Sequence, residues 1–183
     1  YKDRSAWDRL MEKISEVSIR YLNAQIRSGV QALQIFDSWV GCLSPTDYEE
    51  YVLSYSKKVI EGIDKGVPVI HFATSSSTLL EQMKRAGGDV IGIDWRVNLD
   101  EAWARIGYDV AIQGNLDPVV LLGKPNLIEK EVKRILGEAG GRPGHIFNLG
   151  HGILPNTPVD NVTALVNMVH EYSSKSDRRG GKG

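Results

Sequence analysis

Residues Ala32-Leu-Gln-Ile-Phe-Asp37-Ser-Trp-Val-Gly-Cys-Leu-Ser-Pro45 read as a short apolar strand followed by a loop and then a helix start. A strand feeding a helix in this way is half of a βα unit. A doubly wound nucleotide-binding sheet places a phosphate-cradling glycine turn directly after its first strand. Here one glycine, Gly41, follows Trp39, and neither a Walker-type nor a dinucleotide fingerprint is present. The remaining way to cover a parallel sheet with helices is a closed (β/α)8 barrel, whose functional groups sit where each strand ends.

Working outward, the same alternation recurs. Strands are predicted at Ala32–Asp37, Pro68–Ala73, Val90–Asp94, Val110–Gln113 and His145–Leu149. Helices are predicted at Ser5–Ser28, Tyr48–Gly62, Thr78–Arg85, Leu99–Ile106, Val119–Leu136 and Val159–Tyr172. In the first of these Leu10, Ile14, Val17, Tyr21 and Leu22 share one face, and Gly29 ends it. Ser44-Pro45, Asp117-Pro118 and Thr157-Pro158 mark helix starts. Alternating strands and helices require parallel pairing, because only crossover connections join parallel neighbours.

Composition agrees with one compact domain. The chain has 183 residues, 42% of them apolar and 25% charged, enough apolar material for a core. A net charge of −1 argues against a nucleic-acid partner, and no apolar run approaches the roughly 18 residues that span a bilayer. The single cysteine, Cys42, forms no intramolecular disulfide and suits a reducing, cytoplasmic compartment. No signal peptide is recognisable, and the first residue is Tyr1 rather than methionine, so the chain need not begin where its gene does. The domain is expected to cover residues 1–174, with 175–183, including Arg178, Arg179 and Lys182, a disordered basic tail.

Each strand ends on polar residues: Asp37-Ser38, Thr74-Ser75, Asp94-Trp95, Asn115 to Asp117 and Asn148 to His151. Pointing to one rim, they would line one pocket. Asp and Asn also favour turns and helix starts, which is the plainer reading of Asp117 before Pro118 and an equal one for Asp94. His151 stands between Gly150 and Gly152, which leaves its imidazole presented at a strand end. Ser75, Ser76 and Ser77 lie near His71 without a nucleophile elbow and read as a polar loop. Cys42 has no histidine near it in sequence. Trp7, Trp39, Trp95 and Trp103 read as packing residues, although Trp39 and Trp95 lie where they would also wall a cleft. Five strands fall short of eight, and such barrels run to about 250 residues.

The runs Leu33-Gln-Ile-Phe-Asp-Ser-Trp39, Gly92-Ile-Asp-Trp95, Gln113-Gly-Asn-Leu-Asp-Pro118 and Asn148-Leu-Gly-His-Gly152 resemble the uroporphyrinogen decarboxylase family, in order and in separation, from Tyr21 to about Val169. The resemblance implies a (β/α)8 barrel of which this chain is the incomplete C-terminal part, strands four to eight. It also implies removal of carbon dioxide from the four acetate arms of uroporphyrinogen III to give coproporphyrinogen III, in haem and chlorophyll synthesis. By the same resemblance the enzyme uses no metal or organic cofactor and acts as a homodimer. Ser38 and His151 correspond to substrate-contacting residues. The family's arginine loop, key aspartate and substrate-contacting tyrosine belong to its N-terminal portion, so this chain carries no catalytic residue and is expected to be inactive alone.

Two other readings accompany this one. The related methylcobalamin:coenzyme M methyltransferases bind zinc through a His-x-Cys pair and a late cysteine. The corresponding positions here are His71-Phe72-Ala73 and His151, so both thiolates are missing and His71 reads as a strand residue facing core or rim. A non-catalytic half-barrel would instead serve as an interaction module, its open strand edges paired with another chain. For Ser38 the bland alternative is a helix cap or turn residue, and for His151 a buried imidazole held by the backbone.

Overall fold

A computed structural model of the chain describes residues 2–180, with side chains to residue 174. Five strands, β1 (Leu33–Asp37), β2 (Val69–Ala73), β3 (Val90–Gly92), β4 (Ala111–Leu116) and β5 (His145–Leu149), form one sheet in the order β1-β2-β3-β4-β5. Every neighbouring pair is parallel. An order that follows the sequence has no reversal point, which separates this sheet from doubly wound ones.

The sheet is curled. Gln34 on β1 and Gln113 on β4 meet at 3.3 Å, Gln113 Nε2 donating to Gln34 Oε1. Three strand spacings separate these strands, about 14 Å in a flat sheet. Only a concave face brings the two side chains together, as in the wall of a barrel.

Helices cover the other face. They are α1 (Arg4–Arg27), α2 (Pro45–Tyr51), α3 (Leu53–Glu61), α4 (Leu80–Ala86), α5 (Leu99–Ile106), α6 (Pro125–Ala139) and α7 (Val159–Gly180). Leu99, Ala102, Trp103 and Ile106 of α5, and Ile128, Val132, Ile135 and Ala139 of α6, follow helical spacing and are buried. They meet Ile91, Ile93, Ile112 and Leu116 in the main core. The concave face is less covered: Phe36 is 64% and Ile146 42% exposed.

Two predicted helices are divided. Tyr48–Gly62 breaks at Val52, whose backbone leaves helical geometry (φ −128°, ψ −45°), giving α2 and α3. Val119–Leu136 is a 3-10 turn, Pro118–Leu122, followed by α6, because Pro125 drives Lys124 into extended backbone. β4 runs three residues beyond its predicted end, β3 stops two short of it, and α7 continues to Gly180. Of the tail expected over 175–183, residues 181–183 and the side chains from 175 onward lie outside the described residues.

The apolar face of α1 is the larger departure. Leu10, Ile14, Val17 and Tyr21 are 49–66% exposed, and the helix meets the body of the protein through residues such as Ser15, Leu22 and Ile26. Periodicity identifies which stripe is apolar; it does not say what covers it. Trp39 likewise departs from its packing role, at 87% exposed, whereas Trp103 is 1% exposed.

Candidate functional site

Loops after the strands lean on one another along the C-terminal rim of the sheet. Thr74 Oγ1 donates to the Ser38 carbonyl, joining the loops after β1 and β2. Gly41 allows this contact, since a Cβ there would stand 2.6 Å from Ser75 Cβ. Ser75 N–H then donates to Asp94 Oδ2 at 2.5 Å, joining the loops after β2 and β3. Gly150 continues the series, lying so close to Trp95 that an added Cβ would be 2.7 Å from its amide nitrogen.

Ser38 and His151 both stand on this rim. Ser38 is half-buried in the turn after β1 and caps no helix: the 3-10 turn Val40–Cys42 begins at Trp39 without a side-chain cap, and α2 is capped by Ser44. His151 is exposed, its ring edge-on to Trp95 at 6.5 Å between centroids, so it is not a buried structural imidazole. The two follow the outermost strands, β1 and β5, and make no contact with each other among the described residues.

Not all the polar strand ends face the rim. Asp37 accepts from Ser56 Oγ at 3.1 Å and lies 3.4 Å from both Tyr48 Oη and His71 Nε2, within the layer of α2 and α3. Burial, then the Asp37 carboxylate, push the Tyr48 phenol above its usual range, leaving it a hydroxyl donor. His71 is fully buried there, a core residue, with Nδ1 unpartnered. Asp117 accepts from Val119 N–H at 2.9 Å and caps the 3-10 turn, as the plainer reading had it. Asn115 ties down the loop after β3, donating to Asp94 O at 3.0 Å and Val97 O at 2.6 Å.

The sequence reading did not single out Arg96. Its Nη1 donates to Asp94 Oδ2 at 2.6 Å, and its guanidinium lies 4.2 Å from the Trp95 ring centroid. The signal was an Asp-x-Arg spacing at a strand end, too common to stand out. A partly exposed cation, an imidazole, an indole and a serine along one rim can bind an acidic, flat molecule.

A sequence profile for the family described as uroporphyrinogen decarboxylase (URO-D) matches residues 1–172. The chain belongs to that family. Uroporphyrinogen decarboxylase of Carboxydothermus hydrogenoformans is 58% identical over 172 residues, 93% of this chain and 49% of the relative. That of Geobacter sulfurreducens is 55% identical over 167 residues, covering 91% and 49%, and that of Sorangium cellulosum 54% over 177 residues, covering 96% and 51%. The chain thus spans about half the length of the uroporphyrinogen decarboxylases it matches. A solved methyltransferase from Methanosarcina mazei superposes with a TM-score of 0.76 at 24% identity, over 86% of this chain and 47% of that one. This likeness concerns the fold, a parallel sheet within a barrel-type architecture.

Proposed function

We propose that the complete protein carrying this chain is a uroporphyrinogen decarboxylase, converting uroporphyrinogen III to coproporphyrinogen III by removing carbon dioxide from four acetate arms, for haem and chlorophyll synthesis. The observation that carries this reading is the family match over residues 1–172, on a chain whose Ser38 and His151 share one rim of one curled sheet. In this reading the chain supplies strands four to eight. Preceding βα units close the barrel between the free edges of β1 and β5 and cover the exposed stripe of α1.

Decarboxylation leaves an electron pair that needs a sink, and protonating the pyrrole carbon next to the acetate supplies one. A general acid beside the ring is required. The aspartates placed at the strand ends are otherwise engaged: Asp37 with Ser56, Asp94 with Ser75 and Arg96, Asp117 with Val119. By the family resemblance, the acid, and the carboxylate that accepts the pyrrole N–H groups and stabilises the cationic intermediate, come from outside this chain. Ser38 donates a hydrogen bond to one carboxylate arm, and His151 donates a ring N–H to another. The reaction needs no cofactor, and the enzyme works as a cytoplasmic homodimer.

The test is to express the full reading frame around this chain and assay loss of acetate carboxyls from uroporphyrinogen III. Conversion to coproporphyrinogen by the complete protein, and none by residues 1–183 alone, is expected. Methylation of a thiol with no effect on uroporphyrinogen would overturn the reading.

A further inference from the structure

Arg96 is built into the rim more firmly than an ordinary surface arginine. The Asp94 carboxylate is 1% exposed and accepts three N–H groups: Ser75 N at 2.5 Å, Arg96 N at 3.0 Å and Arg96 Nη1 at 2.6 Å. It is fixed from two loops at once, and through Nη1 it fixes the guanidinium. Trp95 backs the same group at 4.2 Å, which leaves the guanidinium little rotational freedom.

This support does not use up the arginine. Its side chain remains 45% exposed, and of the five N–H donors of a guanidinium only one, on Nη1, is engaged among the described residues. It borders a cleft with Ser77, Thr78, Asn98, Glu101 and Arg105. Arg105 is committed elsewhere, to both carboxylate oxygens of Glu81 and to the Ser77 carbonyl. Arg96 is therefore the cation of this cleft with donors to spare. Its indole support is also the neighbour of His151, so one ring separates two groups suited to anions. A guanidinium held in place loses little freedom on pairing with a carboxylate, and its remaining edge offers two parallel donors.

We propose that Arg96, positioned by Asp94 and Trp95, is a carboxylate-binding residue of this site, taking an arm of the acidic tetrapyrrole other than the one paired with His151. This rests on the decarboxylase reading for the identity of the ligand. Asp94 is a positioning residue, acting through Arg96.

The experiment uses the complete protein and two readouts: steady-state turnover of uroporphyrinogen III, and equilibrium binding of uroporphyrin, the stable oxidised form, by fluorescence titration. Arg96→Gln is expected to raise both KM and the uroporphyrin Kd by about ten- to a hundredfold, the size of a lost charge-assisted pair, while kcat moves less than threefold. Arg96→Lys should recover part of the loss, since an ammonium restores charge without the paired donors. The salt dependence of Kd should flatten in Arg96→Gln. Asp94→Asn should weaken binding in the same direction; if it does not fold, Arg96→Gln still decides, because that side chain is partly exposed.

Normal KM and Kd in Arg96→Gln, with the wild type active, would overturn this inference alone. A wild type that ignores uroporphyrinogen yet binds uroporphyrin through Arg96 would overturn the decarboxylase reading and leave the inference standing. Absence of both turnover and binding would overturn both.

Discussion

The backbone of Gly150, at the end of β5, lies against that of Trp95, beyond β3: a Cβ on Gly150 would come within 2.7 Å of Trp95 N and 3.1 Å of Asp94 C. These are backbone atoms, which cannot rotate away. Gly150→Ala should therefore cost about 1–3 kcal/mol, typical of overpacking. It should also move His151 away from Trp95. Urea unfolding midpoints measure the first effect, and a weaker uroporphyrin affinity of the complete protein the second. Gly152→Ala is the control, because nothing lies within 4 Å of its Cβ position.

His145 carries a pH dependence of stability. Its Nε2 donates to the Gly114 carbonyl at 3.0 Å, but burial outweighs that bond and pushes the imidazole below its ordinary value of 6.5. The unfolded chain then takes up a proton at a pH where the folded chain does not. Stability from this group is complete above pH 6.5 and falls as pH drops through 6.5 toward the lowered folded value, by at most about 1.4 kcal/mol per unit. Comparing wild type with His145→Gln in urea melts between pH 7.5 and 5 should show a shallower loss in the variant. Parallel curves would refute the assignment.

His151→Asn in the complete protein separates binding from proton transfer. An exposed imidazole beside Trp95 suits binding, so KM should rise about tenfold or more with kcat nearly unchanged. A fall in kcat at unaltered KM would make His151 an acid.

Val17, 66% exposed on the apolar stripe of α1, tests the proposed closure of the barrel. In residues 1–183 alone, Val17→Gln should change stability by no more than about 0.5 kcal/mol. In the complete protein, where the added βα units would bury it, the same change should cost more than about 1 kcal/mol. Equal small effects in both would place the missing units elsewhere.

Much of the fold was legible because its determinants are local. The five strands and their order along the chain follow from short apolar runs bounded by turn residues, and His145–Leu149 matches its predicted span. The divided helices were harder to read. Pro125 was visible, yet the helical spacing on either side of it suggested continuity, and nothing in the sequence near Val52 announces a break. Along the rim, the exposure of His151 was legible from its flanking glycines, and the capping role of Asp117 from the proline that follows it. Asp37 and Asp94 looked alike, each a carboxylate ending a strand, but one turns into the helical layer and the other organises the rim.

Residue order alone established parallel strands under helices, the absence of a phosphate-binding glycine turn, and a histidine presented between glycines. Those features are encoded within a few neighbouring positions, by periodicity and backbone freedom. Folding in three dimensions settled the curl that joins Gln34 to Gln113, the capture of Arg96 by Asp94, the burial of His71 and the exposure of Trp39 and the α1 stripe. Each of these depends on which distant segments meet, and that is a property of the packed sheet and its helices rather than of any one stretch of chain.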